Sequence, residues 1–409
     1  MTAVGVVGGG AAGAMVVAHL ARAWQGPAPL RVVLYDTSPR PARGLAYSTT
    51  EPHHLLNVPA GRMSALDGDV DHFLRWVQGR DASAGPEDFR SRAEYGDYLA
   101  DTLADHARAT GLTVRRSAVS DVTRVGDRLR VVHAAGFDVV DAVVLALGHA
   151  PPARLPFVVS PAASGYVEDP WSPGAMTDLE ETTCPGDLVV TVGCGLTAVD
   201  VALSLTRRGR RVIAVSRNGL LPREHRPPLP EPLPMAVPAG DGPLTVARLE
   251  QLVTRHIETA VDGGLDWRSA VDGLRPDTDA MWRRLPLEER RLFLGAAGRR
   301  WEVLRHRMAP QVASKLQRLR HARAFSVLRA EVIAATGEER QWRVTIRRDG
   351  AVEQLGVSAV VNCTGPTCDI DRYPHDLGRR LVTSGLVIPD PLGLGVDTTG
   401  RGHVVDRMG

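Results

Sequence analysis

Two glycine-rich turns, Gly8-x-Gly10-x-x-Gly13 and Gly193-x-Gly195, each stand between an apolar run and a helix-like run. A buried strand that turns at a glycine into a helix is the opening of a βαβ nucleotide unit, so two such turns predict an α/β chain with two Rossmann-like dinucleotide-binding domains. Two dinucleotides on one chain predict electron transfer between them.

The first turn carries the fuller pattern. Val4-Gly5-Val6-Val7 reads as a buried strand; Gly8 allows the tight turn, Gly10 lets the backbone approach a pyrophosphate, and Gly13 lets the helix pack close to the strand. The helix predicted from Ala11 to Trp24 aims its free N–H groups at an anion. A second apolar strand over 30–35 ends at Asp36, an acid suited to the ribose hydroxyls of FAD or NAD.

The second turn follows the apolar run 187–192 and opens a helix that carries Thr197 in its first turn and Arg207 and Arg208 in its last, where cations suit the helix dipole. The strand after it, 210–216, ends in Ser216 and Arg217 instead of an acid. A hydroxyl followed by an arginine suits a 2′-phosphate, which favours NADPH over NADH. The third glycine of the fingerprint is replaced by Ala198, so this turn is the weaker motif taken alone.

A chain of 409 residues suits two intertwined nucleotide domains, and a formal charge of +2 does not suggest a nucleic-acid partner. The start runs straight into strand and glycine turn without a basic leader, and no apolar run approaches the roughly 18 residues of a membrane span. A cytoplasmic protein is therefore expected, acting on a small molecule, with a homo-oligomer left open. Cys184, Cys194, Cys363 and Cys368 form neither a Cys-x-x-Cys pair nor a cysteine and histidine cluster, so no metal site is expected. Cys363 and Cys368 lie after a late strand, an unsuitable place for the dithiol of a disulfide reductase.

Between the turns, the long connection 40–66 holds Gly44, Tyr47, Asn57 and Met63, a mixture fit to wrap a flavin's ribityl chain and ring edge. His53 and His54 read either as catalytic or as one packed and one solvated ring. Residues 68–110 read as helical, with Arg92 and Tyr95 one turn apart, either reaching an anion together or standing as a solvated arginine beside a core tyrosine. The runs 112–114, 118–122, 128–132 and 139–140 read as a small antiparallel sheet. The strand 141–147 runs into Gly148, and 359–364 into Gly365; the two are expected to be partners whose glycines let backbone pass close to a cofactor. The expected division is an FAD domain over 1–165 and 327–409, interrupted by an NAD(P)H domain over 166–326 with a helical insert at about 240–320.

That insert follows a proline-dense segment running to Gly240 and is expected to hold helices at 244–261, 267–273, 287–299 and 300–318. Its basic and aromatic residues, among them Trp282, Trp301, Arg305, His306, Arg307 and Met308, suit one wall of a pocket for an anionic substrate, while the arginines at 290, 291, 299 and 300 read mostly as a solvated face. Arg305 and Arg307 are two residues apart, so at most one points inward.

Taken in order, the first fingerprint with Asp36, Gly44-Leu45-Ala46-Tyr47-Ser48, His54-Leu55-Leu56-Asn57-Val58, Phe89-x-x-Arg92-x-x-Tyr95-Gly96-x-Tyr98, Leu145-Ala146-Leu147-Gly148-His149, the second turn, Arg305-His306-Arg307 and Asn362-Cys363-Thr364-Gly365-Pro366 resemble a family of bacterial FAD/NAD(P)-binding, hydroxylase-like flavoproteins. That family is more distantly similar to the flavin N-hydroxylases of ornithine and lysine and to Baeyer-Villiger enzymes. The resemblance implies FAD contacts at Gly8, Gly10, Gly13 and Asp36, and NADPH contacts at Gly193, Gly195 and Arg217. It implies an NADPH-dependent monooxygenase that reduces FAD, takes up O2 as a flavin C4a-(hydro)peroxide and N-hydroxylates a small amine or amino acid. Asn57 is then the candidate polar group near the oxygen, with His54 for proton handling and Arg305 for anion binding. In such enzymes a strand and helix follow the region near Asp397, so with the sequence stopping at Gly409 the expectation is that either the tail of the flavin site is missing from this chain or another segment covers it. The competing readings are an NAD(P)H:acceptor oxidoreductase without oxygen insertion and a regulatory protein whose turns are relics.

Overall fold

Strands with apolar residues on both faces need cover on both faces, and the chain builds two parallel sheets from them. The computed structural model describes residues 1–159, 163–235, 243–338, 341–373 and 376–407. It divides into two units, one of Met1–Arg154 with Gly365–Gly409 and one of Leu155–Thr364.

In the first unit the strands Thr113–Arg115, Leu30–Tyr35, Thr2–Val7 and Ala142–Leu145 lie side by side in that order, all parallel, with Val6 opposite both Leu34 and Val144. The helix Ala11–Ala23 presents Ala14 and Val17 to a core shared with Leu34, Phe73, Tyr98 and Leu99. Phe73 and Val17 are fully buried, which stabilises the unit by about 1.5–3 kcal/mol each. Ser91 caps the helix Arg92–Ala107 by accepting from the Glu94 N–H, and this helix returns the chain parallel to the strand it left. That crossover explains one departure from expectation: 112–114 joins the parallel sheet as its edge. The antiparallel sheet holds only Val119–Val125, Arg128–His133 and Gly136–Val140. Near the end of the chain, Leu377 and Leu381 of the helix Leu377–Thr383 pack with Val122 and Val131.

In the second unit the parallel order is Tyr166–Val167, Ala359–Asn362, Leu188–Val192, Arg211–Ser216 and Phe325–Arg329. Residues 155–165 and 327–364, expected with the first domain, belong here. Phe325–Arg329 pairs with Arg211–Ser216, and Ala359–Asn362 with Leu188–Val192, Val360 opposite Val190. The expected partnership of 141–147 with 359–364 is therefore corrected. All four residues of Ala359–Asn362 are buried, a pattern that any interior parallel strand shows and that names no neighbour. The chain re-enters the first unit at Gly365, where Pro366–Thr367 pairs antiparallel with Ala150–Pro152. Strands Glu331–Glu338, Gln341–Arg348 and Ala351–Val357 form an antiparallel sheet edged by Val158–Val159, its core centred on the buried Trp342, Val344 and Ile346.

The helical insert contains Val246–Asp262, Trp267–Gly273, Thr278–Arg284, Leu287–Leu292, Gly298–Arg305 and Pro310–His321, with one π-helical turn over Phe293–Ala297. Residues 236–242, the end of the proline-dense segment and the expected start of the insert, lie outside the described residues. Among the described residues no helix is long and apolar enough to cross a membrane.

Candidate functional site

The first turn is held by backbone contacts that leave no room for side chains. Gly8 has φ +105°, and a Cβ there would lie 2.1 Å from the Ala146 carbonyl oxygen; one at Gly13 would lie 2.0 Å from the Gly8 carbonyl oxygen. Gly10 precedes the helix Ala11–Ala23 without a side-chain cap, so the first helical N–H groups stay available to an anion. Gly9, in a variable slot of the fingerprint, is equally constrained, because a Cβ would fall 2.6 Å from the Asp36 carboxylate. Sequence reasoning missed it, although the triplet Gly8-Gly9-Gly10 was the available signal.

Asp36 stands at the end of its strand, half-buried, and accepts from the Ser38 N–H at 3.1 Å. Burial raises its carboxyl above the ordinary 3.8, partly offset by the Ser38 and Thr37 N–H groups and by Arg116. If Asp36 takes the two ribose hydroxyls of FAD, as the sequence leads one to expect, it does so as the carboxylate, and FAD affinity should then fall as pH drops through this raised value, by up to about tenfold per pH unit. The apoprotein responds with the opposite sign. A raised carboxyl contributes stability that is fully present below 3.8 and is lost as pH rises through the folded value. FAD titrations from neutral pH downward should show this slope in the native protein and lose it in Asp36→Asn, which binds FAD more weakly throughout. An unchanged slope in the variant would assign the titration to another group.

Tyr47 and Met63 are half-buried against the first unit's core, with Tyr47 4.8 Å from Tyr95 between ring centres. The short helix Gly44–Tyr47 lies on Arg92–Ala107 because Gly96 has no side chain: a Cβ there would lie 2.4 Å from the Tyr47 carbonyl oxygen. Arg92 and Tyr95 do not converge on an anion. Tyr95 is buried with Phe73 and Tyr98, whereas Arg92 Nε donates to the Leu55 carbonyl at 3.2 Å and its N–H to the His54 carbonyl, fastening the 53–57 loop. In that loop His54 is buried, its Nδ1 2.9 Å from Thr49 Oγ1, and the His53 side chain is only 11% exposed, so neither ring is the solvated one that the sequence led one to expect; Asn57 is half-buried one residue after the core Leu56. Gly148 (φ +72°) and Gly365 (φ +92°) both face open space at the Cβ position, and the Tyr373 hydroxyl donates to the Gly148 carbonyl.

The second turn repeats the device within the second unit. Gly193 has φ +114°, and a Cβ would lie 2.3 Å from the Cys363 carbonyl oxygen; Gly195 precedes the helix Leu196–Arg207, again without a side-chain cap. Thr197 is half-buried in the first turn of that helix, and Arg217 is exposed just beyond Arg211–Ser216. Ala198 is fully buried at the third glycine position, so a methyl group is accommodated there.

Of the two insert arginines, Arg307 is the buried one. Its guanidinium forms two hydrogen bonds of 2.8 and 2.9 Å with Asp272 and lies over Trp267, while Arg305 is partly exposed in the last turn of Gly298–Arg305. Sequence spacing limited the inward-facing residues to one without choosing it. A cleft of about 790 Å³ lies between the 219–224 loop, Ile257, Trp267, Leu304 and Leu316, and of the insert residues expected to wall a pocket Met308 lines it. All four cysteines are free, and burial pushes the Cys194 thiol up and the Cys363 thiol well up.

Residues 5–150 match a family model described as FAD-NAD(P)-binding, so the first turn, Asp36 and the 40–66 connection lie inside an FAD-NAD(P)-binding module. No curated protein matches the chain in sequence. Among solved structures, L-lysine 6-monooxygenase from Pseudomonas syringae is similar with a TM-score of 0.60 at 16% identity, covering 99% of this chain and 94% of that one. An ornithine N-hydroxylase from Kutzneria sp. 744, solved with reduced FAD, NADP+ and L-ornithine, gives 0.59 at 17%, covering 96% and 86%. The bacillithiol disulfide reductase of Bacillus cereus gives 0.52 at 13%, covering 97% and 85%. These likenesses establish a shared α/β fold with two Rossmann-like subdomains.

Proposed function

We propose that this protein is an FAD- and NADPH-dependent oxidoreductase, and specifically a monooxygenase that N-hydroxylates a small amine or amino acid with O2. The observation that carries the reading is the pair of uncapped helix starts behind glycine turns. One is followed by a strand ending at Asp36 inside the FAD-NAD(P)-binding module, the other by a strand ending at Arg217. Bound FAD supplies the redox chemistry, accepting hydride from NADPH and passing electrons to oxygen.

The protein's own share is binding and orientation. The N–H groups after Gly10 and Gly195 receive the two pyrophosphates, Asp36 the FAD ribose, and Thr197 and Arg217 the NADPH phosphates. Tyr47, Met63, Gly148 and Gly365 line the FAD seat. Asn57 holds a polar group toward the reacting oxygen, and His54, oriented through Thr49, keeps a proton site close by in the same loop. Arg305 is assigned to an anionic substrate group. An amine substrate presents its own lone pair, so no strong base is demanded of the chain. The exposed free thiols Cys184 and Cys368 suit the cytoplasm.

The second reading is an NAD(P)H:acceptor or disulfide reductase, supported by the fold shared with the bacillithiol enzyme. Against the disulfide form of it stand the two buried cysteines, whose raised thiols disfavour the attacking thiolate.

Stopped-flow mixing of the NADPH-reduced, FAD-loaded protein with oxygen decides between them. The expected result is a transient absorbance belonging to neither oxidised nor reduced flavin, followed by hydroxylamine formed in step with NADPH consumption when ornithine, lysine or a diamine is supplied. Fast NADPH oxidation with a quinone or disulfide acceptor, no such transient and no hydroxylamine would establish the reductase.

A further inference from the structure

A residue from outside the strand-turn-helix pattern closes over the second turn. Arg299 is the second residue of Gly298–Arg305 in the helical insert, and one Nη donates both to the Cys194 carbonyl inside the Gly193-Cys194-Gly195 turn (3.1 Å) and to the Leu220 carbonyl (2.9 Å). The other Nη donates to Glu302 at 3.2 Å and is the one atom within 4 Å of where a Gly195 Cβ would stand. A methyl at Gly195 would touch the guanidinium at ordinary van der Waals distance.

The helix arrives at this contact in an unusual way. A π-helical turn over Phe293–Ala297 ends immediately before Gly298, and its extra residue rotates every later side chain by roughly 100° relative to an unbroken α-helix. Arg300, the next residue, is exposed and reaches only toward Glu250 at 3.9 Å, and Arg291 pairs with its neighbour Glu288. Arg299 alone of these three leaves the solvated face.

We infer that Arg299 is a specificity-determining residue of the nucleotide site, binding the 2′-phosphate on the adenosine ribose of NADPH together with Arg217. The inference rests on the reading of this turn as the NADPH site. Its basis is position: the adenosine ribose of a dinucleotide lies between the glycine turn and the end of the following strand, and Arg299 spans those two places by bonding Cys194 in one and Leu220, four residues past Ser216, in the other. A guanidinium has five N–H donors, of which three are used here, leaving Nε–H and one Nη–H without an acceptor among the described residues. The Glu302 carboxylate beside it is 54% exposed, so solvent screens its effect on an incoming phosphate. Paired N–H donors on a fixed planar group match a phosphate in a way that a point charge does not.

The test uses FAD-loaded protein titrated with adenosine 2′,5′-bisphosphate and with AMP, which lacks the 2′-phosphate. Arg299→Gln should weaken the bisphosphate by about 10- to 100-fold and AMP by less than about threefold, while Arg300→Gln leaves both unchanged. Arg299→Lys keeps the charge and serves if the glutamine variant fails to fold; it should lose several-fold in the bisphosphate alone. Equal losses for both probes would show that Arg299 merely braces the turn, and no loss would remove it from the site; either overturns the inference and leaves the NADPH reading standing. A native protein that binds neither probe nor NADPH would overturn that reading as well.

Discussion

Replacing Gly8 by alanine should yield a protein that purifies without yellow colour and takes up no added FAD. The new methyl would stand 2.1 Å from the Ala146 carbonyl oxygen at φ +105°, a conformation that L side chains rarely adopt. The Ala146 oxygen is main chain in the connection leaving Ala142–Leu145, and the Ala146 N–H is itself bonded to the Val7 carbonyl, so neither side can yield cheaply. The loss should exceed about 4 kcal/mol, the range reserved for backbone strain and core damage. Gly193→Ala meets the same obstacle in the second unit, 2.3 Å from the Cys363 carbonyl oxygen at φ +114°. Its expected phenotype is the converse: FAD retained, NADPH reduction lost. Visible absorbance with and without added FAD, circular dichroism and anaerobic NADPH reduction separate the outcomes. A Gly8→Ala protein that stays yellow, or a Gly193→Ala protein reduced at the native rate, would contradict the assignment of the two turns.

Arg307→Met should destabilise the second unit by about 3–5 kcal/mol. The Arg307 side chain is fully buried and Asp272 is 7% exposed, so methionine leaves a carboxylate out of water with its two guanidinium bonds gone. Arg275, 3.5 Å from Asp272 and half-exposed, recovers part of the loss at best. Combining Arg307→Met with Asp272→Leu removes the stranded charge, and most of the stability should return. Urea unfolding of the single and double variants measures the difference. A double variant no more stable than Arg307→Met would mean that the pair is valued for its geometry and not for mutual charge compensation.

The backbone of this molecule was legible wherever the constraint is short in sequence. A Cβ at Gly13 meets the Gly8 oxygen within the same turn, whereas Gly8 and Gly10 are crowded by Ala146 and Gly44 from elsewhere in the unit, so it is the spacing of the three glycines, more than their contacts, that is readable locally. The order of strand, glycines, helix, strand and acid therefore specifies a βαβ unit without knowledge of the rest of the chain, and residues 5–150 match an FAD-NAD(P)-binding model. Helices with a clear period and caps, such as Val246–Asp262 behind Thr245 and Trp267–Gly273 behind Asp266, fall close to where the pattern put them.

Contacts between distant segments carry no such mark. Ala359–Asn362 is buried along its whole length and would suit either sheet; it lies beside Leu188–Val192, so residues 327–364 fall in the second unit. Spacing allowed one of Arg305 and Arg307 to face inward, and Asp272 decided which. Arg299 sits among arginines that look alike in sequence, and a π-helical turn together with two carbonyls on other segments singles it out. The glycine spacing of a turn is written in neighbouring residues, whereas the backbone that crowds it, the burial of a strand and the pairing of a charge depend on which partner folding brings alongside. The amino-acid order therefore prescribes two nucleotide turns, and only the folded chain selects the side chains gathered around them.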